Sequence, residues 1–457
     1  MCVRKIFRIV AVVFFVVQAG RQNVWAVDIF SWLGMADRPL GISAPAWATR
    51  GSNLRLEIDS HEYYKRWVEN RLVSDFSGSS TRADLTIQLL PSFAVGVRKK
   101  FTEPQTWKNS MDDRSDRFCM KSEAESGDIF FRVARRSFAV EAGGGSGKSF
   151  FTGDYELHRD LINALGANPP IYLNNGETVR FAKFYGTRGR LRFAYAVSGT
   201  KYAHRVSANT PALDIVLNHD REVRQQSAEL SWSCRQGFAP YIRFDDYRDQ
   251  GNGENFRDIR YKFGNNSSEF AVSGVGLGSV YRYKGTRYFA EFSRLNLDLD
   301  LATDFNLITL NPLFLFGTNR VAYRLGFHPH GPWALRLGGQ RMYRGIDYFA
   351  QYSFAAVSGV VSTWSAKDFD MFANTTIDLT ESDTKVDLHR FSLSMKRPDS
   401  SGNWQLNLNL LVPLAESVEQ KPPAPPTPAP APGPARSRPE ESIRGGWQIV
   451  VGREFNL

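Results

Sequence analysis

The sequence predicts an all-β protein, a large antiparallel up-and-down transmembrane β-barrel of 16 or 18 strands. Three observations predict it. Stretches alternating apolar and polar residues with a period of two recur roughly every 12 to 18 residues along most of the chain. The one long apolar run, at the N-terminus, falls short of the ~20 residues a helical span needs, and no later stretch reaches that length without charges. Finally, the alternation continues to the last residue. Only helices and closed barrels satisfy their backbone groups in lipid, so a membrane protein made from this chain is a barrel. A mean hydropathy of −0.34 is compatible, because a barrel's lumen, turns and loops are polar.

The closing stretches show the pattern best. Trp404, Leu406, Leu408, Leu410 and Val412 alternate with Gln405, Asn407, Asn409 and Leu411. Trp447, Ile449, Val451, Phe455 and Leu457 share one face, interrupted only by Arg453. At the other end, Arg4, Lys5 and Arg8, the apolar run 9–17 and Val24-Trp25-Ala26 read as a cleaved secretory signal over residues 1–26. Residues 27–80 read as a lead-in, with a possible first strand at 53–60 and a possible short helix at 61–76, where Tyr64, Trp67, Val68 and Leu72 share a helical face. The barrel is expected over 81–457.

Within it, two strands are expected to meet at Pro91-Ser92, a long loop is expected over 102–127, and residues 158–165 suit a short helix. From 178 onward the rhythm is regular: Leu191, Phe193, Tyr195 and Val197; Val321, Tyr323, Leu325 and Phe327; Trp333, Leu335 and Leu337; Tyr348, Ala350, Tyr352 and Phe354; Phe391, Leu393 and Met395. Asn252-Gly253, Asn265-Asn266, Lys284-Gly285 and residues 398–402 read as turns. Tyr281, Tyr283, Tyr288, Trp333, Trp404 and Trp447 are candidates for interfacial girdles. The proline-rich run 421–439 reads as an extended loop before the last strand.

Formal net charge is +10, and removing the signal would leave 53 basic against 47 acidic residues, too even a balance to argue for nucleic acid. Cys119 and Cys234, the cysteines left after the signal, would pair in an oxidising compartment or stay free. The run from Ala142 to Ser149 (Ala-Gly-Gly-Gly-Ser-Gly-Lys-Ser) fits a loose phosphate-binding loop, but residues 150–154 are a poor helix start, so a glycine-rich turn is the better reading. His328-Pro329-His330 and His219-Asp220 lack the further ligands or nucleophile of a metal or catalytic site. No enzyme, cofactor or metal is expected.

If the apolar faces meet lipid, Arg192, Arg324, Arg336, Arg390, Gln351, Gln405, Asn407 and Asn409 point inward and line a pore. Rings of arginine favour anions, although arginine also pairs with aspartate across a lumen for support, and Asp245, Asp246, Asp249 and Asp258 are available.

Gly452, Phe455 and Leu457 resemble the C-terminal signal of bacterial outer-membrane β-barrels, with a terminal Leu where Phe is more usual. The resemblance implies a porin-like protein of a Gram-negative-type outer membrane, with membrane lipid and the barrel-assembly machinery as partners and a homo-oligomer as an option. The function it implies is passive passage of small polar or anionic solutes through an arginine-containing lumen. The alternatives are export of an acidic exopolysaccharide and a non-enzymatic surface barrel that anchors long loops.

Overall fold

The computed structural model describes residues 37–48, 51–68, 71–111, 116–156, 171–209, 214–234, 237–257, 261–306, 318–369, 376–420, 441–444 and 446–457. The expected signal, the helix at 158–165 and the proline-rich loop lie outside these residues. A 3-10 turn at Ala46–Ala48 is followed by strands only: β1 (Asn53–Val68), β2 (Arg71–Leu90), β3 (Phe93–Met111), β4 (Asp116–Ala134), β5 (Phe138–Glu156) and β6 (Ile171–Arg188). Next come β7 (Leu191–Asn209), β8 (Asp214–Trp232), β9 (Phe238–Arg257), β10 (Tyr261–Tyr283), β11 (Thr286–Asn306) and β12 (Thr318–Pro329). The last are β13 (Trp333–Tyr343), β14 (Ile346–Phe369), β15 (Thr376–Asp399), β16 (Gly402–Gln420), β17 (Glu441–Arg444) and β18 (Trp447–Asn456).

These segments form one closed antiparallel sheet of 16 staves. Two staves are interrupted. β12 and β13 both pair with β11 and β14, and β17 and β18 both pair with β1. Pro329 and Pro332 flank the first break and lack the N–H a ladder needs, while Gly331 turns the chain at φ 58°. β1 closes the barrel, pairing with β2 on one side and, from Asn53↔Asn456 to Glu62↔Trp447, with β18 on the other.

Several expectations give way. Residues 61–68 and 71–76 are not helical but the loop-end halves of β1 and β2, because cross-strand pairing on both sides outweighs a short amphipathic spacing. The barrel therefore begins at Asn53, and residues 102–111 and 116–127 continue β3 and β4 instead of looping. Asn252-Gly253 and Asn265-Asn266 sit inside β9 and β10, paired with each other's strands. Lys284-Gly285, Pro91-Ser92 and residues 400–401 are turns as expected, Lys284 and Gly285 at φ 43° and 81°. Cys234 is free at the turn after β8, whereas Cys119 lies in the part of β4 far from that end, so they do not pair.

The glycine-rich run is in β5, not a turn. A Cβ on Gly143 or Gly145 would strike the carbonyl oxygens of Ile129 or Gly127, so glycine here lets β5 lie tightly against β4. Gly145→Val is expected to cost about 1–3 kcal/mol by overpacking, read as a lower urea midpoint of the vesicle-inserted barrel.

The uninterrupted strands, of 16 to 24 residues, exceed the roughly 9–11 needed to cross a bilayer. The excess changes the pattern. Near the turns, the outer face is apolar: Ile242, Phe244, Leu277, Phe292, Leu393, Leu410 and Val451 are exposed. Tyr281, Tyr283, Tyr288 and Trp404 edge this belt toward the turns, and Trp333 and Trp447 toward the other end, all exposed. Beyond the belt the same outer face carries Arg248, Gln250, Arg294, Asp298, Asp300 and Lys385, and the apolar residues turn inside. There Tyr247, Phe270, Val272, Leu295, Leu299, Phe327, Ala355 and Val357 pack into a buried cluster joined by Leu297, Leu301 and Leu325. A closed antiparallel barrel with an even stave number, an apolar belt and aromatic edges is a membrane-spanning barrel of the outer-membrane type.

Candidate functional site at the turn end of the lumen

A short segment preceding the barrel lies inside it. Ile42 N–H donates to Pro39 O at 2.8 Å, making a tight turn that presents Leu40 and Ile42 to the wall. Ile42 is fully buried against Ala239, Tyr241, Val280, Phe289 and Phe349, and Leu40 is buried too. No strand pairing holds this segment; side chains of the wall do. Leu40 N–H donates to Glu229 at 2.6 Å, Arg192 donates to Leu40 O at 2.7 Å, and Arg287 donates to Ile42 O. Arg336 donates to Asp37 O at 3.1 Å. Arg38 pairs with Asp347 at 2.8 Å, reaches Ser394 Oγ at 3.2 Å and stacks on Phe349 at 4.6 Å.

Behind the segment stands a buried polar layer. Arg336 meets Glu291 at 2.9 Å, Tyr241 Oη donates to the same carboxylate at 2.7 Å, and Arg243 pairs with Asp245 at 2.7 Å and lies 3.9 Å from Glu229. These groups come from β8, β9, β11 and β13. Alternation along each strand points them inward, and mutual pairing offsets the cost of burying charge.

The opposite wall is charged along its length. On β1 and β2, Arg55 pairs with Glu57 and Arg82 with Asp84 at 2.8 Å. On β3 to β6, the fully buried Glu141 is held by Arg98, by Arg132 at 2.6 Å and by Lys183 at 3.6 Å. Arg98 lies over Phe130 and Phe181, 4.2 and 5.0 Å from their ring centres. Amides continue the lining: Arg390 to Asn409 at 3.1 Å, Asn409 to Gln448 at 3.1 Å, Gln448 to Asp59 at 3.0 Å, and Arg55 to Gln405 at 3.3 Å. Asn407 shares the inward face of β16, half-buried.

Arg192, Arg336, Arg390, Gln405, Asn407 and Asn409 thus share the interior. Arg192 and Arg336 hold the inserted segment, and Arg390 is buried and bonded to Asn409. Arg324 does not join them. Leu325 and Phe327 pack in the interior cluster, so Arg324 stands on the other face of the wall, 5.5 Å from the ring centre of Trp364. The reason is the inversion beyond the belt, where the apolar face of the strand no longer marks the lipid side. Gly452 and Phe455 lie on β18 and Leu457 just past its end, with Gly452 on the inward face and Leu457 N–H donating to Ser52 O at 3.1 Å. His219 is buried and bonded to Asn266 at 3.0 Å, while Asp220 faces the other way; among the described residues no group of metal-ligating side chains forms.

Sequence reasoning missed the inserted segment and the carboxylates. Residues 37–43 carry no periodicity that would reveal them. Glu141, Glu229 and Glu291 were findable, because each alternates with outward-facing apolar neighbours.

No protein-family model matches the sequence, and no curated protein matches it. Among solved structures, the ferric yersiniabactin uptake receptor FyuA of Yersinia pestis aligns at 8% identity and TM-score 0.37, over 90% of this chain and 81% of that one. The toluene transporter TodX of Pseudomonas putida aligns at 9% and 0.38, over 91% and 90%. The alcaligin outer-membrane receptor FauA of Bordetella pertussis aligns at 6% and 0.35, over 92% and 77%. At such scores the cargo of these proteins does not transfer to this chain, and the belt and the closed sheet define the fold by themselves.

Proposed function

We propose that this barrel is a gated transport channel of the outer membrane, admitting small polar solutes along the charged β1–β6 wall, with residues 37–43 as its gate. The observation that carries the reading is the seating of Leu40 and Ile42 in the lumen by side-chain contacts alone. Hydrogen bonds with a charged partner contribute about 1.5–3 kcal/mol each, and none of these belongs to the strand ladder, so the segment can leave while the sheet stays intact. In outer-membrane barrels the short turns face the periplasm, which puts the gate at the periplasmic mouth. The interior arginines are committed to carboxylates, amides or the gate, and the β1–β6 wall carries both signs. That favours weak ion selectivity over anion selection by a ring of free arginines.

The test is a planar bilayer recording of the full chain beside a variant lacking residues 37–43. The full chain is expected to open rarely, and the variant to conduct steadily, with a reversal potential near zero in a KCl gradient. A folded variant as silent as the full chain would sink the reading.

A further inference from the structure

The turns that close the barrel at the gate end carry an uneven charge. Arg135 and Arg136 follow β4, Arg188 ends β6 and Arg190 lies in the turn after it, Arg282 is near the end of β10 and Lys284 in the turn after it, Arg341 is near the end of β13 and Arg344 in the turn after it, and Arg397 is near the end of β15. All nine are exposed. The acid among these exposed turn residues is Asp399, and it is bound by Arg453 and accepts a hydrogen bond from Ser401 N–H at 2.9 Å. At the other end of the wall, signs are mixed: Arg248 beside Asp246 and Lys385 beside Asp387 form pairs.

The basic turns sit at the edge of the aromatic belt. Lys284 lies 5.2 Å from the Tyr283 ring centre, Arg344 5.3 Å and Arg341 5.8 Å from that of Tyr343. Aromatic residues at such edges mark headgroup depth. Next to them, on the lipid-facing wall, small residues leave a groove of about 980 Å³ floored by Gly339 and Ala350, walled by Tyr288, Tyr352 and Leu408, with Arg341 at its turn end.

We propose that this rim binds anionic phospholipid of the adjacent leaflet, a phosphate headgroup meeting Arg341 and the neighbouring Lys284 and Arg344 while an acyl chain lies in the Gly339/Ala350 groove. Phosphate fits because arginine donates to it in a fork, and a basic cluster at headgroup depth gains from the negative surface potential of an anionic leaflet. An apolar groove running from that cluster into the belt suits a diacyl lipid and offers nothing to a soluble polyanion. The inference is independent of what the lumen carries.

The full-length protein is reconstituted in nanodiscs of phosphatidylcholine with one quarter phosphatidylglycerol, then extracted in mild detergent and its retained lipids measured by native mass spectrometry. Retention of phosphatidylglycerol over phosphatidylcholine is expected, falling roughly tenfold or more in the variant K284Q/R341Q/R344Q. The matched variant R248Q/R294Q/K385Q, on the far end of the wall, should retain lipid as the parent does, and Gly339→Leu should weaken retention with every charge in place. Heat-modifiable migration on gels confirms that each variant is folded. Equal retention of both lipids by the parent, or undiminished retention by the rim variant, would overturn the proposal, as would a rim that captures a soluble polyanion and shows no lipid preference. If the rim variant fails to fold, retention by the parent that does not fall between 0.05 and 0.5 M salt would overturn it instead.

Discussion

Glu291→Ala is expected to destabilise the barrel by about 3–5 kcal/mol, a magnitude typical of removing one partner from a buried ion pair. Glu291 is fully enclosed and takes Arg336 at 2.9 Å, Tyr241 at 2.7 Å and Ser293 at 3.3 Å. Without it, Arg336 keeps its charge in a site that water does not reach. Arg243, whose charge also acts on Glu291, keeps Asp245. Arg336→Met should cost comparably, because Glu291 would be stranded. The double change Glu291→Leu with Arg336→Met should recover most of the loss, since a well-packed apolar pair often matches a buried salt bridge. A double mutant cycle on urea unfolding in phospholipid vesicles reads this directly. Additive losses would show that the two residues do not act as a pair. The variants also separate stability from gating: Arg336 donates to Asp37 O, so the stable double variant should conduct more often than the parent.

How much of this was legible in the sequence depends on height along the strand. Near the turns, lipid outside and polar groups inside impose the alternation that the sequence shows, so Trp404 to Val412, Leu191 to Val197 and Phe391 to Met395 were placed on the correct face. Farther up, strands such as β11 keep their period but reverse its meaning. Tyr288 and Phe292 face outward as lipid-facing residues, and after Arg294 the apolar Leu295, Leu297 and Leu299 face inward while Asp298 and Asp300 face out. A period of two reports that a strand has two unlike faces. It does not report which face is wet, and Arg324 was misplaced for that reason. The turn residues Asn252-Gly253 and Asn265-Asn266 misled for a related one, since small polar residues suit a wet wall above the belt as well as they suit a turn. The inserted segment was illegible because its contacts are made by single residues to a wall more than a hundred positions away, as from Leu40 to Glu229.

That inversion yields the second large effect, a set of substitutions whose costs differ although each residue occupies a regular strand. Leu393→Arg, in mid-belt between Phe391 and Met395, is expected to cost about 2–4 kcal/mol, the penalty for a cation at the depth of the hydrocarbon. Asp300→Arg, on the same outer face but beyond the belt, should stay within about 0.5 kcal/mol, as an exposed surface change does. Leu299→Ala, one residue away and facing the buried cluster, should cost about 2–5 kcal/mol, because its loss leaves a cavity beside Val272 and Phe327. Equilibrium unfolding of the three variants in vesicles distinguishes a wall that is lipid-facing throughout from one that changes solvent partway. In the first case Asp300→Arg would cost more, up to about 2 kcal/mol, because arginine is penalised more than aspartate in hydrocarbon, and Leu299→Ala would be mild. In the second, the order Leu299→Ala and Leu393→Arg far above Asp300→Arg follows. Repeating Leu393→Arg in a detergent that leaves the belt hydrated should shrink its penalty while that of Leu299→Ala persists, because only the first depends on the solvent outside the barrel.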